Sequence, residues 1–387
     1  MYRIGQEEID AVARVIRAKE LFKTTSGPYE ETKHFEEEMR EYFGVKRAVS
    51  MTSGMAALTS AIVAMGIGPG DEVIVPAYTY VATAVAVVSA GAMPVVAEVD
   101  ETLGLDANDV EKKISPRTKA IIPVHMMGYP ANMDAIMAVA KKHNLLVLED
   151  ACQAVGGSYK GKRLGTIGDA GALSFNFWKN ISAGEGGALL TNDQMIFEKG
   201  LIYHDCCAVS YFGDQMVGFS TDLFVGSEYR TNEITSAIMR VQLGRLEGIL
   251  ADLRKNKKLL KEALAPYFKF IPANDPEGEC SNALTLQFGS PEEANDFFER
   301  TRSINIPAMM GKHVCWAWDL LIEKRGAAHP LMNPFNFEVN KNAPGFTKDM
   351  CAKSVRILSS CGHVNINPDW TEEDIDNKAK SLIAGLK

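Results

Sequence analysis

The 387-residue sequence contains no apolar run long enough to cross a bilayer, so no transmembrane helix is expected. Its first residues, MYRIGQEEIDAVARVIRAKE, lack the apolar core and small-residue cleavage site of a signal peptide. Basic residues are the minority, 41 Lys and Arg against 49 Asp and Glu, for a net charge of -8. That balance argues against nucleic acid or an anionic membrane surface as a partner. Cysteine is sparse. There are seven, an odd count, and none forms a CxxC pair. A disulfide framework is disfavoured, no metal site is expected, and a reducing cytoplasm is the expected setting. No GxGxxG opens a strand–helix unit at the first strand, so the fingerprint of a nicotinamide enzyme is missing.

What is present is a globular chain with 46% hydrophobic residues. Apolar runs recur from about residue 45 to 195: AVSM, EVIVP, MPVVAEV, AIIPVHM, LLVLED, ALSFNF and GALLTN. Helical patterns separate the earlier ones. Continuous apolar strands alternating with helices imply a mostly parallel sheet covered on both faces. The last two runs follow too closely for helical crossovers, so antiparallel character is expected between 172 and 192. Residues 230–265 read as one long helix. NALTLQF, PEEANDFFERTRS and INIPAMM then read as strand, helix and strand of a smaller α/β domain. In the first segment Ile9, Val12 and Ile16 fall at helical spacing, as on an amphipathic helix. The expected division is an N-terminal helical segment packing with the small domain (1–25), a large domain (26–260) and a small C-terminal domain (261–387).

One lysine stands apart. In 174-SFNFWKNISAGEGGA-188, Lys179 lies among aromatic, small and apolar residues with a glycine-rich tail behind it. In a parallel α/β sheet, ligands sit beyond the carboxyl ends of the strands. Asp150 ends LLVLED, Lys179 follows ALSFNF, Ser53-Gly54-Met55 follows AVSM, and Tyr78 and Tyr80 follow EVIVP. Four strands thus bring special residues to one rim. A helix N-terminus behind Ser-Gly offers free N–H groups to a phosphate. A carboxylate can hold a pyridinium N–H, an aromatic ring can stack on a heterocycle, and a lysine can form a Schiff base. These are the protein partners that pyridoxal phosphate needs. Each alone has an ordinary reading: Asp150 as a helix cap, Tyr80 as packing, Ser53-Gly54 as a turn, Lys179 as a solvated charge.

The chain resembles the DegT/DnrJ/EryC/StrS sugar aminotransferases, which have the fold type I architecture: a large domain with a mostly parallel seven-stranded sheet plus a smaller C-terminal α/β domain. The resemblance is carried by FEEEMREYFGVKRAVSMTSGMAAL, GIGPGDEVIVPAYTYVATAVAVVSAGAMPV, PVHMMG, EDACQAVGGSYKGKRLGTIGDAGALSF and KNISAGEGGALLTND. SF-x(3)-K-x(4)-GEGG is the most diagnostic. It implies pyridoxal 5'-phosphate as cofactor, with pyridoxamine 5'-phosphate as its aminated form. It implies Lys179 as Schiff-base lysine and proton shuttle, Asp150 on the pyridinium nitrogen, Gln153 on the phenolic oxygen and Tyr80 on the ring. Gly54, Met55 and Ser174 would bind the phosphate, and Glu185 would lie beside the site. Lys179 argues against the dehydratase branch, which has histidine there. The resemblance also implies a homodimer with sites at the interface. The family pattern G-x-N-[YF]-R carries an asparagine that reaches the neighbouring subunit's phosphate. Here 226-GSEYRTNE-233 has Glu228 at that position, and Asn232 or a rearranged loop would take over.

The acceptor expected first is the 8-keto form of a 3,8-dideoxy-octulosonate, an eight-carbon acid sugar of lipopolysaccharide biosynthesis. LFKTTSGP, PVHMMGYPANMD and EVDETLGLDANDVEKKISPRTKA are similar to that branch. A nucleotide-linked 3- or 4-keto-deoxysugar is the alternative, and a non-catalytic sensor that kept the pocket is a reading of another class. L-glutamate is the expected amino donor. Lys23, Arg230 and His313 are candidate partners for substrate carboxylates. Trp316 and Trp318, in HVCWAW, would either wall a sugar or pack between domains.

Overall fold

The computed structural model describes residues 3–23, 30–206, 218–301, 303 and 305–386. Residues 24–28 of LFKTTSGP lie outside them, as does the expected border at 25–26.

Seven strands form the main sheet: β1 (Arg47–Met51), β2 (Glu72–Pro76), β3 (Met93–Ala97), β4 (Thr118–Ile121), β5 (Leu146–Asp150), β8 (Ala170–Ser174) and β9 (Gly187–Thr191). The short hairpin β6 (Ser158–Tyr159) and β7 (Lys162–Arg163) stands apart. The sheet order is β1-β9-β8-β5-β4-β2-β3. β9 pairs antiparallel with both of its neighbours, and the remaining pairs are parallel. The expected mostly parallel sheet is therefore present, with the antiparallel strand where the sequence crowds its runs. β2, β3, β8 and β9 are buried at every position, because helices cover both faces. The helix Gly54–Ala64 is buried almost all round and reads apolar all round for that reason.

β5 shows how alternation divides labour. Glu149 is fully buried and accepts from the N–H groups of Gly165, Ile167 and Gly168 at 2.9, 2.5 and 2.8 Å. His125 Nε2 lies 3.0 Å from the same carboxylate, while His125 Nδ1 accepts from Ala131 N. The loop 165–168 is thereby tied under the strand. The next residue, Asp150, points the other way.

The long helix runs Glu233–Leu264, capped by the Asn232 side chain, which accepts from Thr235 N. It continues through residue 260, the expected domain border. Beyond it β10 (Lys269–Phe270), β11 (Ala283–Gln287) and β12 (Cys361–Asn365) form an antiparallel sheet in that order. Two readings need correction. INIPAMM is not a strand: Ile306–Met310 is a short helix, because the Asn305 side chain caps it at Ala308 N and Pro307 suits the first turn. β12 supplies the third strand instead. The helix Gln6–Ala18 does form, but Ile9 and Ile16 are 60% and 55% exposed. It docks on the long helix through Ala11 and Val15, with Ala237 opposite. Small residues let the two backbones approach closely, and Glu8 is accommodated by Gln242, Arg245 and Gly5 N. No helix among the described residues is long and apolar enough to cross a membrane.

Candidate active site

β1, β2, β5 and β8 end at one edge of the sheet. β9 runs the other way, so the residues preceding it reach that same edge. A cavity of about 810 Å³ opens there, lined by Gly54, Met55, Tyr80, Asp150, Gln153, Ser174, Lys179, Glu185 and His313 among others. Nine residues separated by up to 259 positions thus meet in one place. Lys23 and Arg230 do not line it.

One wall is a tight turn at a helix start. Ser53 caps the helix by accepting from Ala56 N, so the first-turn N–H groups of Gly54 and Met55 precede any intrahelical partner. Gly54 is required: a Cβ there would meet Cys152 Sγ at 2.7 Å and Ser174 Cβ at 2.8 Å. Gly187 is required for the opposite reason. A Cβ on it would strike the Ser53 carbonyl carbon and oxygen at 2.3 Å. The glycine pair of GEGG therefore lets β9 press against this turn.

The Asp150 carboxylate is 5% exposed and fixed at both oxygens. Thr83 Oγ1 donates to one at 2.7 Å and Cys152 N–H to the other at 3.1 Å. Gln153 Oε1 accepts from Met127 N at 3.2 Å, which turns the amide so that its NH2 is the donating end. Burial, and then the Asp150 charge, push the Cys152 thiol up, so it stays protonated and is a packing group.

Lys179 sits on a hairpin that continues the β8–β9 pair. Phe175 N donates to Gly186 O and Phe177 N to Gly184 O. Asn176 Nδ2 donates to Glu185 at 3.1 Å across the hairpin. Beside Lys179, Trp178 is 78% exposed. Facing the hairpin, the Tyr80 and His313 rings lie 5.0 Å apart at a tilt of 48°. His313 Nδ1 donates to Met310 O at 2.5 Å, leaving Nε2 as an acceptor. Burial holds His313 below its ordinary range, and the Lys179 charge adds to this against the Met310 hydrogen bond.

The remaining candidates lie elsewhere. Lys23 Nζ is buried between Glu36 at 2.8 Å, Ser50 O at 3.2 Å and His204 Nε2 at 3.2 Å. Arg230 pairs with Asp205 and, at 2.7 Å, with Glu228, and lies over the Phe22 ring. Glu228 also accepts from Arg230 N at 3.1 Å. Asn232 is the cap of the long helix. Trp318 is 1% exposed, donates to Lys312 O and packs in the core, and Trp316 packs against the same cluster.

Sequence reasoning named His313 but missed the rest of the wall supplied by the small domain. Asn282, Asn365 and Ile366 line the cavity, together with Met309 and Met310. The Asn282 side-chain oxygen is buried without a hydrogen-bond partner among the described residues. Nothing local in the sequence marks these positions, because only the docking of β11 and β12 brings them to the rim.

With that geometry in hand, comparison with known proteins is informative. The chain is 46% identical over 220 residues to GDP-perosamine synthase of Caulobacter vibrioides, covering 56% of this chain and 57% of that one. It is 40% identical over 240 residues to dTDP-3-amino-3,4,6-trideoxy-alpha-D-glucose transaminase of Streptomyces venezuelae, covering 62% and 60%. The chain spans about half to three fifths of the length of the curated relatives it matches. The X-ray structure of an aminotransferase from Psychrobacter cryohalolentis superposes with a TM-score of 0.77 at 27% identity, over 99% of this chain and 97% of that one. The architecture is that of fold type I aminotransferases. The model of the DegT/DnrJ/EryC1/StrS aminotransferase family, which is dependent on pyridoxal phosphate, matches residues 2–307, and the chain belongs to that family.

Proposed function

We propose that the protein is a pyridoxal phosphate-dependent aminotransferase that moves an amino group from L-glutamate to a keto sugar. The observation that carries the reading is the meeting of Lys179, the buried Asp150 carboxylate and the Gly54 turn in one cavity.

The residues fit the cofactor. The Gly54 cradle accepts no side chain, and its first-turn N–H groups with the Ser174 hydroxyl would hold a phosphate. Asp150 would hold the ring nitrogen's proton, the Gln153 NH2 the phenolic oxygen, and Tyr80 a ring face. Bound there, pyridoxal phosphate supplies an aldehyde to carry nitrogen and a cationic ring to accept electron density. The chain's own part is placement and proton handling. Thr83 and Cys152 N–H keep the Asp150 carboxylate aimed and shielded from water. Lys179 Nζ would take the proton from substrate Cα and return it to the carbon on the far side of the transferred nitrogen. The intact lysine favours a catalyst over a sensor.

Within keto-deoxysugars, 8-keto-3,8-dideoxy-octulosonate is the first acceptor proposed, on the sequence stretches given above. The named relatives support a nucleotide-linked 3- or 4-keto-deoxysugar as the second. We read the active form as a homodimer, with Glu185, His313 and the 226–233 segment near substrate. The domain limits 1–25, 26–260 and 261–387 are kept as a proposal, but helix Gln6–Ala18, expected to pack with the small domain, docks on the long helix, and among the described residues only Arg3 before it forms an ion pair past residue 261, with Asp369. The described cysteines are all free, which supports a reducing cytoplasm. The test is to incubate purified protein, pyridoxal phosphate and L-glutamate with each acceptor and detect the product by mass. An amino sugar and 2-oxoglutarate in equal amounts are expected. A bound cofactor with no amino transfer to any keto sugar would overturn the reading.

A further inference from the structure

Two walls of the cavity are tied to the small sheet by one chain of hydrogen bonds. Tyr78 OH stands 2.6 Å from His363 Nε2, with the rings stacked at 6.2 Å. His363 Nδ1 is 2.8 Å from Thr285 Oγ1. Thr285 Oγ1 and Thr285 N both lie 3.1 Å from Tyr129 OH. Tyr129 OH donates to Ala283 O at 2.9 Å.

The protons in this chain have one consistent arrangement. Tyr129 has a single hydroxyl proton, and the Ala283 carbonyl takes it. Its oxygen must therefore accept from Thr285 N–H and from the Thr285 hydroxyl. Thr285 Oγ1, its proton committed, accepts from His363 Nδ1–H. The neutral imidazole then offers a lone pair at Nε2, and Tyr78 donates to it. Packing around the ring pushes His363 down to about 3, helped by the Lys257 charge. That ammonium lies 4.1 Å from the Tyr129 ring centroid and pairs with Glu279.

Both ends of the chain reach the site. Tyr78 begins the segment that carries Thr79 and Tyr80 into the cavity. Tyr129 closes the turn whose Met127 N–H holds Gln153. Asn282, next to Ala283, donates to Gln153 O at 3.0 Å. His363 itself does not line the cavity.

We propose that His363 is a positioning residue for the transamination: by joining Tyr78 to Thr285 it fixes the spacing between the Tyr80 wall and the Gln153 wall, with the small sheet as brace. This rests on the reading of Tyr80 and Gln153 as cofactor contacts. A polar chain that is fully satisfied is rigid, and a broken one loosens everything it spans.

The test uses wild-type protein loaded with pyridoxal phosphate beside Tyr78→Phe, Thr285→Val and Thr285→Ser. Four quantities are read: the absorption band of the bound cofactor, kcat, KM for L-glutamate, and Tm. Tyr78→Phe and Thr285→Val are expected to shift the band and lower kcat about tenfold, the effect of one lost hydrogen bond, with KM almost unmoved. Thr285→Ser, which keeps the hydroxyl, restores both. A lowered Tm with an unshifted band and wild-type kcat would mark a merely structural chain and overturn the proposal, as would equal behaviour of the Val and Ser variants. If Tyr78→Phe does not fold, the two Thr285 variants decide. A wild-type protein without a bound-cofactor band overturns the functional reading itself, and this inference with it.

Discussion

Thr83 Oγ1 donates to Asp150 Oδ2 at 2.7 Å, joining the helix after β2 to the end of β5. A hydroxyl that donates to a buried carboxylate keeps it aimed. Asp150→Asn should keep the fold and retain cofactor but lose turnover by about 100-fold or more, since an amide cannot balance a cationic ring. Thr83→Val should lose about tenfold, the value of one hydrogen bond to a charged group. Steady-state kcat checks both. Asp150→Asn turning over near the wild-type rate would refute the role.

Lys179→Ala removes the only amine lining the cavity among the described residues. Turnover should vanish while the far-UV circular dichroism stays unchanged. Borohydride treatment followed by intact mass should find no cofactor attached to the variant. Covalent attachment that survives the substitution would place the nucleophile at another lysine.

Glu228 is engaged by Arg230 at both its backbone and its side chain. A carboxylate within about 4 Å of a phosphate would cost on the order of 4 kcal/mol at a surface-like dielectric, and the ion pair turns it to other work. Glu228→Asn should leave the dissociation constant of pyridoxal phosphate within about twofold, as one exposed ion pair contributes little. Titration by cofactor fluorescence measures it. A large loss of affinity would give the carboxylate a positive role in the site.

Gly187→Ala tests the contact between β9 and Ser53, the cap of helix Gly54–Ala64. The added carbon would overlap backbone atoms at 2.3 Å, and backbone cannot swing aside. Overpacking of this kind costs about 1–3 kcal/mol or more. Cofactor affinity should fall at least tenfold, because the displaced atoms belong to the phosphate turn. Wild-type affinity in this variant would mean that the turn holds no phosphate.

His363 gives a pH signature. Its folded value is near 3 and its ordinary value 6.5, so between these the unfolded chain binds more protons than the folded one. The contribution to stability is present above pH 6.5 and is lost as pH falls toward 3, at up to about 1.4 kcal/mol per pH unit. His363→Asn should flatten the acid limb of a Tm-against-pH curve. Identical limbs in the two proteins would exclude the neutral buried ring.

The parts legible in the sequence were those governed by local rules. Strand ends place Asp150, Lys179 and the Gly54 turn, because a parallel sheet sends all its carboxyl ends to one edge. The crowding of the last runs announced β9. Readings failed where a distant partner decides. Ile9 and Ile16 have the spacing of a buried stripe, yet Ala11 and Val15 dock because Ala237 leaves room. Lys23 looked available for a carboxylate and found Glu36 and His204 instead. The Tyr78–His363 bond spans 285 positions and leaves no periodic trace.

The hairpin that carries Lys179 leaves the sheet at Ser174 and re-enters it at Gly187, two residues that are themselves paired. Everything between them is a closed excursion with fixed ends. Its buried members, Phe175, Ile181 and Ser182, tie it to the core, so only the exposed tip around Trp178 is free to change without disturbing strand register. Lys179 thus stands on a short arch whose two feet are locked side by side in the sheet, so its reach over the cavity is set by the strands and not by the loop alone.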